Sequence, residues 1–131
     1  MDLRMILSDE LRKRQARNPR YSIRAFAKSL ATHHSTVTRI LGSERRLTAR
    51  SIQTIGTRLR MSPGQISDAC REENCAIILR AVRDPRFRPD SRWIATMTGI
   101  PLDQVNVALH SLLYERRLVM TSRAAWSAES R

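Results

Sequence analysis

SIRAFAKSLATHHSTVTRILGSERRL, residues 22–47, decides how the rest of the chain is read. Ile23, Phe26, Ala27 and Leu30 fall at i, i+3, i+4 and i+7, on one stripe of a short amphipathic helix. Ser22 precedes that stripe, where its hydroxyl can accept a bond from an unpaired first-turn amide. A break follows at Ala31-Thr32-His33, and a second stripe runs through Val37, Ile40 and Leu41. Small Ala27 permits a close crossing of the two helices. The outer face of the second helix carries His34, Ser35, Thr36, Thr38 and Arg39, all able to hydrogen-bond, with no carboxylate among them.

On the N-terminal side, residues 2–17 read as a helix with inner stripe Leu3, Ile6, Leu7 and Leu11. Asp2 is its expected cap, and its far end is the basic set Arg12, Lys13, Arg14 and Arg17, cations suited to a helix C-terminus. Asn18-Pro19 stops it, since Pro cannot continue a helix and Asn tolerates a left-handed cap. Tyr21 is placed to staple against the next helix. On the C-terminal side, Gly42-Ser43 gives a turn and Glu44-Arg45-Arg46 a charged loop. Thr48 caps a fourth helix with Ile52, Ile55 and Leu59 inside. Gly56 in mid-helix costs about 1 kcal/mol against Ala, which predicts close packing against a neighbour. Ser62-Pro63-Gly64-Gln65 is a capping box with Pro at the first helical position, so a fifth helix begins at Pro63 and includes Ile66 and Ala69. Residues 1–70 thus make a complete five-helix unit.

Residues 71–131 read as a second, smaller module. Its first element is a short apolar helix over Cys75–Val82. Asp84-Pro85 and Arg88-Pro89-Asp90 form an irregular connector anchored by Phe87. Asp90 or Ser91 caps a helix over 92–97, Thr98-Gly99-Ile100 turns, and Pro101 opens a longer helix to about Arg116. Leu118-Val119-Met120 and the region around Trp126 pair as a two-stranded wing. An internal echo links the halves: Ala27, Ala31, Val37, Ile40 and Leu41 share the spacing of Ala95, Gly99, Val105, Ala108 and Leu109, and Phe26 matches Ile94. Both modules therefore read as helix-turn-helix folds. Similar frames serve different functions.

At 131 residues the chain holds one compact domain or two small ones, and 5% aromatics imply mainly aliphatic cores. The formal charge of +12 suggests a polyanionic partner. The 24 basic side chains are all Arg except Lys13 and Lys28. Guanidinium forks bind phosphate and guanine edges bidentately; genomic composition also explains Arg over Lys, but not the net charge. Residues 1–70 hold 14 basic and 5 acidic side chains, and residues 71–131 hold 10 and 7. The first half is therefore expected to do most of any nucleic-acid binding.

No apolar run is long enough for a membrane span and no signal-peptide core follows Met1, so a cytoplasmic, nucleoid-associated location is expected. Cys70 and Cys75 sit awkwardly for a disulfide and suit a reducing compartment. His33, His34 and His110 lack zinc-ligand spacing. No enzyme and no cofactor are indicated: acids are scattered, there is no Gly-rich phosphate loop, and no Ser, Cys or His has an evident base and orienting partner.

The segments NPRYSIRAFAKSL, TRILGSERRLT, RLRMSPGQI and DPRFRPDSRWIATMTGI resemble a bacterial family of two-module regulators over roughly residues 3–120. The resemblance implies a mostly α chain. Residues 1–70 would be a five-helix Cro/CI-type (lambda-repressor-like) helix-turn-helix DNA-binding domain, and residues 71–131 a winged-helix-like module. The spacer between modules is shorter here than in that pattern, and the long C-terminal portion of larger members is lacking.

Helix geometry and the position of readers in Cro/CI-type domains together make His34, Ser35, Thr36, Thr38 and Arg39 the expected base-reading set in the major groove. Ser22, Thr32, His33, Ser43, Arg45 and Arg46 are expected phosphate clamps. The expected function is a sequence-selective transcriptional regulator on double-stranded DNA. An architectural, sequence-tolerant DNA-binding protein and a protein-interaction adaptor such as an antitoxin are the alternatives. The second module's corresponding helix shows Asp103, Gln104, Asn106, His110 and Glu115, a poor surface for DNA. It suits dimerisation or docking of a protein partner, with Ile77, Ile78, Leu112, Leu113 and Trp126 as the expected apolar contact of a homodimer.

Overall fold

The computed structural model describes residues 3–42, 46–122 and 125–128. It is mostly helical. Among the described residues the order is α1 (Leu3–Arg17), α2 (Ile23–Ser29), α3 (His34–Leu41), α4 (Ala49–Arg58), α5 (Pro63–Val82), α6 (Ser91–Thr98), α7 (Leu102–Tyr114), β1 (Leu118–Ser122) and β2 (Ala125–Ala128). The chain divides into two compact units, Met1–Cys70 and Arg71–Arg131, each with its own apolar core.

The first core gathers Leu3 and Leu7 from α1, Phe26, Ala27 and Leu30 around α2, and Val37 and Ile40 from α3. Ile52 and Ile55 from α4, and Ile66 and Ala69 from α5, complete it. Each large side chain here contributes roughly 1.5–3 kcal/mol relative to exposure. Leu11 packs on the margin, and Ile6 is only half-buried. The Asp2 cap lies outside the described residues.

Local chemistry fixes the helix ends. The Ala25 amide donates to Ser22 Oγ at 3.0 Å, and the Ser51 amide to Thr48 Oγ1 at 3.1 Å. Ser62 and Gln65 form the reciprocal capping box, at 2.8 and 3.2 Å. Tyr21 meets Phe26 edge-on, with ring centres 6.4 Å apart. A methyl group on Gly56 would lie 2.8 Å from Ile66 Cγ1, so the glycine is what lets α4 and α5 approach.

Arg14 is not a free cation. Its Nε donates to Glu10 at 3.0 Å, and one terminal nitrogen donates to Tyr21 Oη at 2.9 Å and Ser29 Oγ at 2.8 Å. Its guanidinium also lies 5.2 Å from the Phe26 ring centre. These bonds, led by that to Tyr21, hold its pKa above the ordinary value. It ties α1 to α2.

The second unit departs from the sequence reading at its start. No separate helix begins at Cys75: α5 runs unbroken for 20 residues. Residues 66–82 contain no Gly or Pro, and the polar run Arg71-Glu72-Glu73-Asn74, which looks like a spacer, is made of residues a helix accepts. Cys75, Ile77 and Ile78 of α5 join Ile94, Ile100, Val105, Ala108, Leu109, Leu112 and Leu118 in the second core. Phe87 anchors the connector, edge-on to Trp93 at 5.5 Å and tilted against Trp126 at 5.7 Å.

This burial corrects the expected dimer contact. Ile77, Ile78 and Leu112 are core residues, and Trp126 packs on Phe87. Of that set only Leu113 is exposed. Asp90 caps α6, its carboxylate accepting the Arg92 amide at 2.9 Å. Thr98 closes that helix instead of opening the turn, and α7 ends at Tyr114, two residues before the expected Arg116. Arg116 itself takes φ +57°, which a helix interior does not allow. β1 and β2 pair antiparallel with Met120 opposite Trp126, and the register shifts between Met120 and Ser122.

Candidate nucleic-acid interface

α2 and α3 meet through a tight turn at residues 30–33. The Thr32 amide bonds back to the Ala27 carbonyl at 3.0 Å and that of Ala31 to Lys28 at 3.1 Å. This geometry forces Ala31 to φ +55°, a left-handed conformation that costs an L residue roughly 1–2 kcal/mol. α3 then starts at His34, capped by the His33 ring. His33 Nδ1 accepts the Ser35 amide at 3.2 Å and lies 2.7 Å from Ser35 Oγ.

Val37 and Ile40 are fully buried, which turns Ser35, Thr38 and Arg39 to solvent with His34 and Thr36 half-buried at the sides. The exposed groups are not equivalent. The Ser35 hydroxyl is held by the His33 ring, and the Thr38 hydroxyl donates to the His34 carbonyl at 3.0 Å. Arg39 makes no ion pair with a described residue and keeps its guanidinium in solvent. His34 stacks at 4.3 Å on His33. Its pKa is lowered by desolvation, then by the nearby charges of His33 and Arg24, so it favours the neutral ring, which can both donate and accept.

Of the expected phosphate clamps, Ser22 is exposed at the start of α2 with its oxygen engaged as cap. Thr32 is half-buried, His33 is exposed with Nδ1 committed to the cap, and Arg46 is exposed. Ser43 and Arg45 lie outside the described residues. A cleft of about 210 Å³ opens beside the turn, lined by Ala31, Thr32, Thr36, Arg50, Ser51, Thr54 and Ile55. It brings the turn and the first turns of α3 and α4 together around an arginine and several hydroxyls.

Arg24 and Arg50 were not singled out by sequence reasoning, yet both belong to this surface. A signal existed. Each is the second residue of its helix, where the positive end of the helix dipole disfavours a cation by about 0.3–1 kcal/mol. Both are exposed, and neither makes an ion pair with a described residue. None of α1–α5 has an acidic residue in its first turn.

The second unit repeats the frame with a different surface. α6, a turn at Gly99 (φ +76°) and α7 correspond to α2, Ala31 and α3, with Val105 and Ala108 fully buried where Val37 and Ile40 are. At the positions of Ser35, Thr38 and Arg39 stand Asp103, Asn106 and Val107, all exposed. Arg117 is held by Glu72 at 3.2 Å and Glu115 at 3.5 Å. Arg86 bonds to Asp84 and holds its carboxyl below the usual range. Cys75 is buried, which pushes its thiol up to about 11. No group of three potential metal ligands occurs among the described residues. No described helix is long and apolar enough to cross a membrane. No family model, curated protein or solved structure matches the chain.

Proposed function

We propose that the chain is a sequence-selective DNA-binding protein, most simply a nucleoid-associated transcriptional regulator, and a binding protein rather than an enzyme. The observation that carries this reading is the outer face of α3. It has exposed Arg39, without an ion pair among the described residues, flanking hydrogen-bonding groups, no carboxylate, and Arg24 and Arg50 on adjoining helix starts. In this reading the first unit is a Cro/CI-like helix-turn-helix domain and the second a winged-helix-like module. α3 enters the major groove, where Arg39 bonds bidentately to a guanine and discriminates by roughly 1–3 kcal/mol. His34 and Thr36 read from the sides. Ser35 and Thr38, whose oxygens are held by His33 and the His34 carbonyl, contribute mainly shape, with a methyl contact from Thr38. Arg24, Arg46, Arg50, Thr32 and Ser22 hold phosphates on either side.

The test is selection of bound duplexes from a random pool, then affinity for the selected site against random duplex at one fixed salt. A regulator gives a defined site bound at least about a thousandfold more tightly. Equal affinity for all duplexes would make the protein an architectural DNA coater. With ~6 phosphates engaged by a dimer, raising salt from about 50 to 200 mM should weaken binding roughly a thousandfold.

A further inference from the structure

We infer that the outer face of α7 is the contact through which a second copy of this chain binds, in an antiparallel pairing about a two-fold axis. Seven of the eight exposed large apolar side chains among the described residues belong to the second unit. Val107 is 57% exposed and Tyr114 84% on the face opposite the buried Val105–Leu112 row, with Leu113, 39% exposed, on its flank. This is the face on which α3 carries its polar readers, and here the frame puts apolar Val107 where α3 has Arg39.

The order of side chains says what covers it. The row begins with Asp103 in the first turn of α7, continues through Val107, His110, Leu113 and Tyr114, and is followed by exposed Arg116. An acid, an apolar middle and a base form a sequence that is complementary to itself when reversed. In an isologous pair, residue i of one copy meets residue j of the other and the reverse. With the axis through His110, position 107 faces position 113 of the second copy, and Asp103 falls opposite position 117, next to exposed Arg116 just past the helix end. Duplex DNA does not suit this face, because Asp103 stands where a phosphate would approach and α7 itself carries no Lys or Arg to offset it.

A single pair of 13-residue helices buries less than the roughly 800 Å² per partner of stable complexes. The dimer should therefore be weak in isolation, with a Kd on the order of micromolar, and be strengthened when two copies share one DNA site.

Sedimentation equilibrium of the intact chain from about 1 to 500 µM reads this directly. The expected result is a reversible monomer–dimer equilibrium that Val107→Glu weakens at least tenfold. Asp103→Arg weakens it as well, and adding Arg116→Asp to that variant restores it. His110→Cys should form an intermolecular disulfide well above the level given by native Cys70 and Cys75. A monomeric mass throughout, no effect of Val107→Glu, or no gain of cross-link with His110→Cys overturns the pairing. Binding of Val107→Glu to random duplex is measured alongside. If it is retained while dimerisation is absent from the wild type, the pairing fails and the DNA reading stands; if no duplex is bound, the DNA reading fails on its own.

Discussion

α2–α3 and α6–α7 are one architecture used twice. Both pairs have a short helix, a left-handed residue at the turn and a second helix that buries Val at its fourth position. They differ in what the second helix shows to solvent. α3 shows Ser35, Thr38 and Arg39, whereas α7 shows Asp103, Asn106 and Val107. The charge beside these two faces differs as well. Arg24, Arg39 and Arg50 stand without ion pairs to described residues around α3, while α7 has no Lys or Arg and exposes Asp103. Burial sets the frame, and a handful of exposed positions decide what the frame can recognise.

The largest effect should come from the frame itself. Phe26→Ala is expected to cost about 3–5 kcal/mol and Ile94→Ala about 2–5 kcal/mol, read from urea unfolding. An Ile94→Ala cost below about 1 kcal/mol would break the equivalence of the two units. Next is the surface. Arg39→Ala should weaken a selected DNA site by roughly 5- to 150-fold, a loss of about 1–3 kcal/mol, and relax preference at one base position. Val107→Ala at the equivalent place should leave base preference at every position unchanged. Arg50→Ala should weaken all duplexes alike and reduce the salt slope by about 1.

The turns give a smaller, opposite-signed pair. Ala31→Gly should stabilise by about 1 kcal/mol by relieving the left-handed strain, and Gly99→Ala should destabilise by about the same, both read as shifts in Tm. No atom lies near a Gly99 methyl, so the second effect is purely conformational. The smallest effect is that of His34. Its folded pKa is lowered below 6.5, so the unfolded chain binds the extra proton first. Stability should be full above that range and fall slightly as pH drops through it; His34→Asn should remove this contribution from the pH–stability curve.

Much of the first unit was legible because its signals are local. Ser22, Thr48 and the Ser62–Gln65 box are readable as helix starts, Tyr21–Phe26 as a staple, and Gly56 as a close approach. What was hidden depends on tertiary context. The Arg71–Asn74 run is polar, yet it lies within α5, and Glu73 is buried there. Arg14 is one of several adjacent cations, and nothing in its spacing tells that it bonds Tyr21 and Ser29. The candidate site was legible as a helix face but not as a surface. Periodicity identifies the exposed side of α3, while the proximity of Arg50 to the turn appears only once α4 is packed.

In the proposed reading α3 and α7 share a frame, but only α3 enters the groove of DNA. Because α5 crosses residue 70, separated fragments would cut a helix, and the comparison belongs in the intact chain. The direct measurement attaches a DNA-cleaving iron chelate at Ser35→Cys or at its counterpart Asp103→Cys, with labelled wild type as the control for Cys70. Cutting localised to the major groove from position 35, and none above control from position 103, is the predicted result. Comparable cutting from position 103 would contradict it and make α7 a second reader.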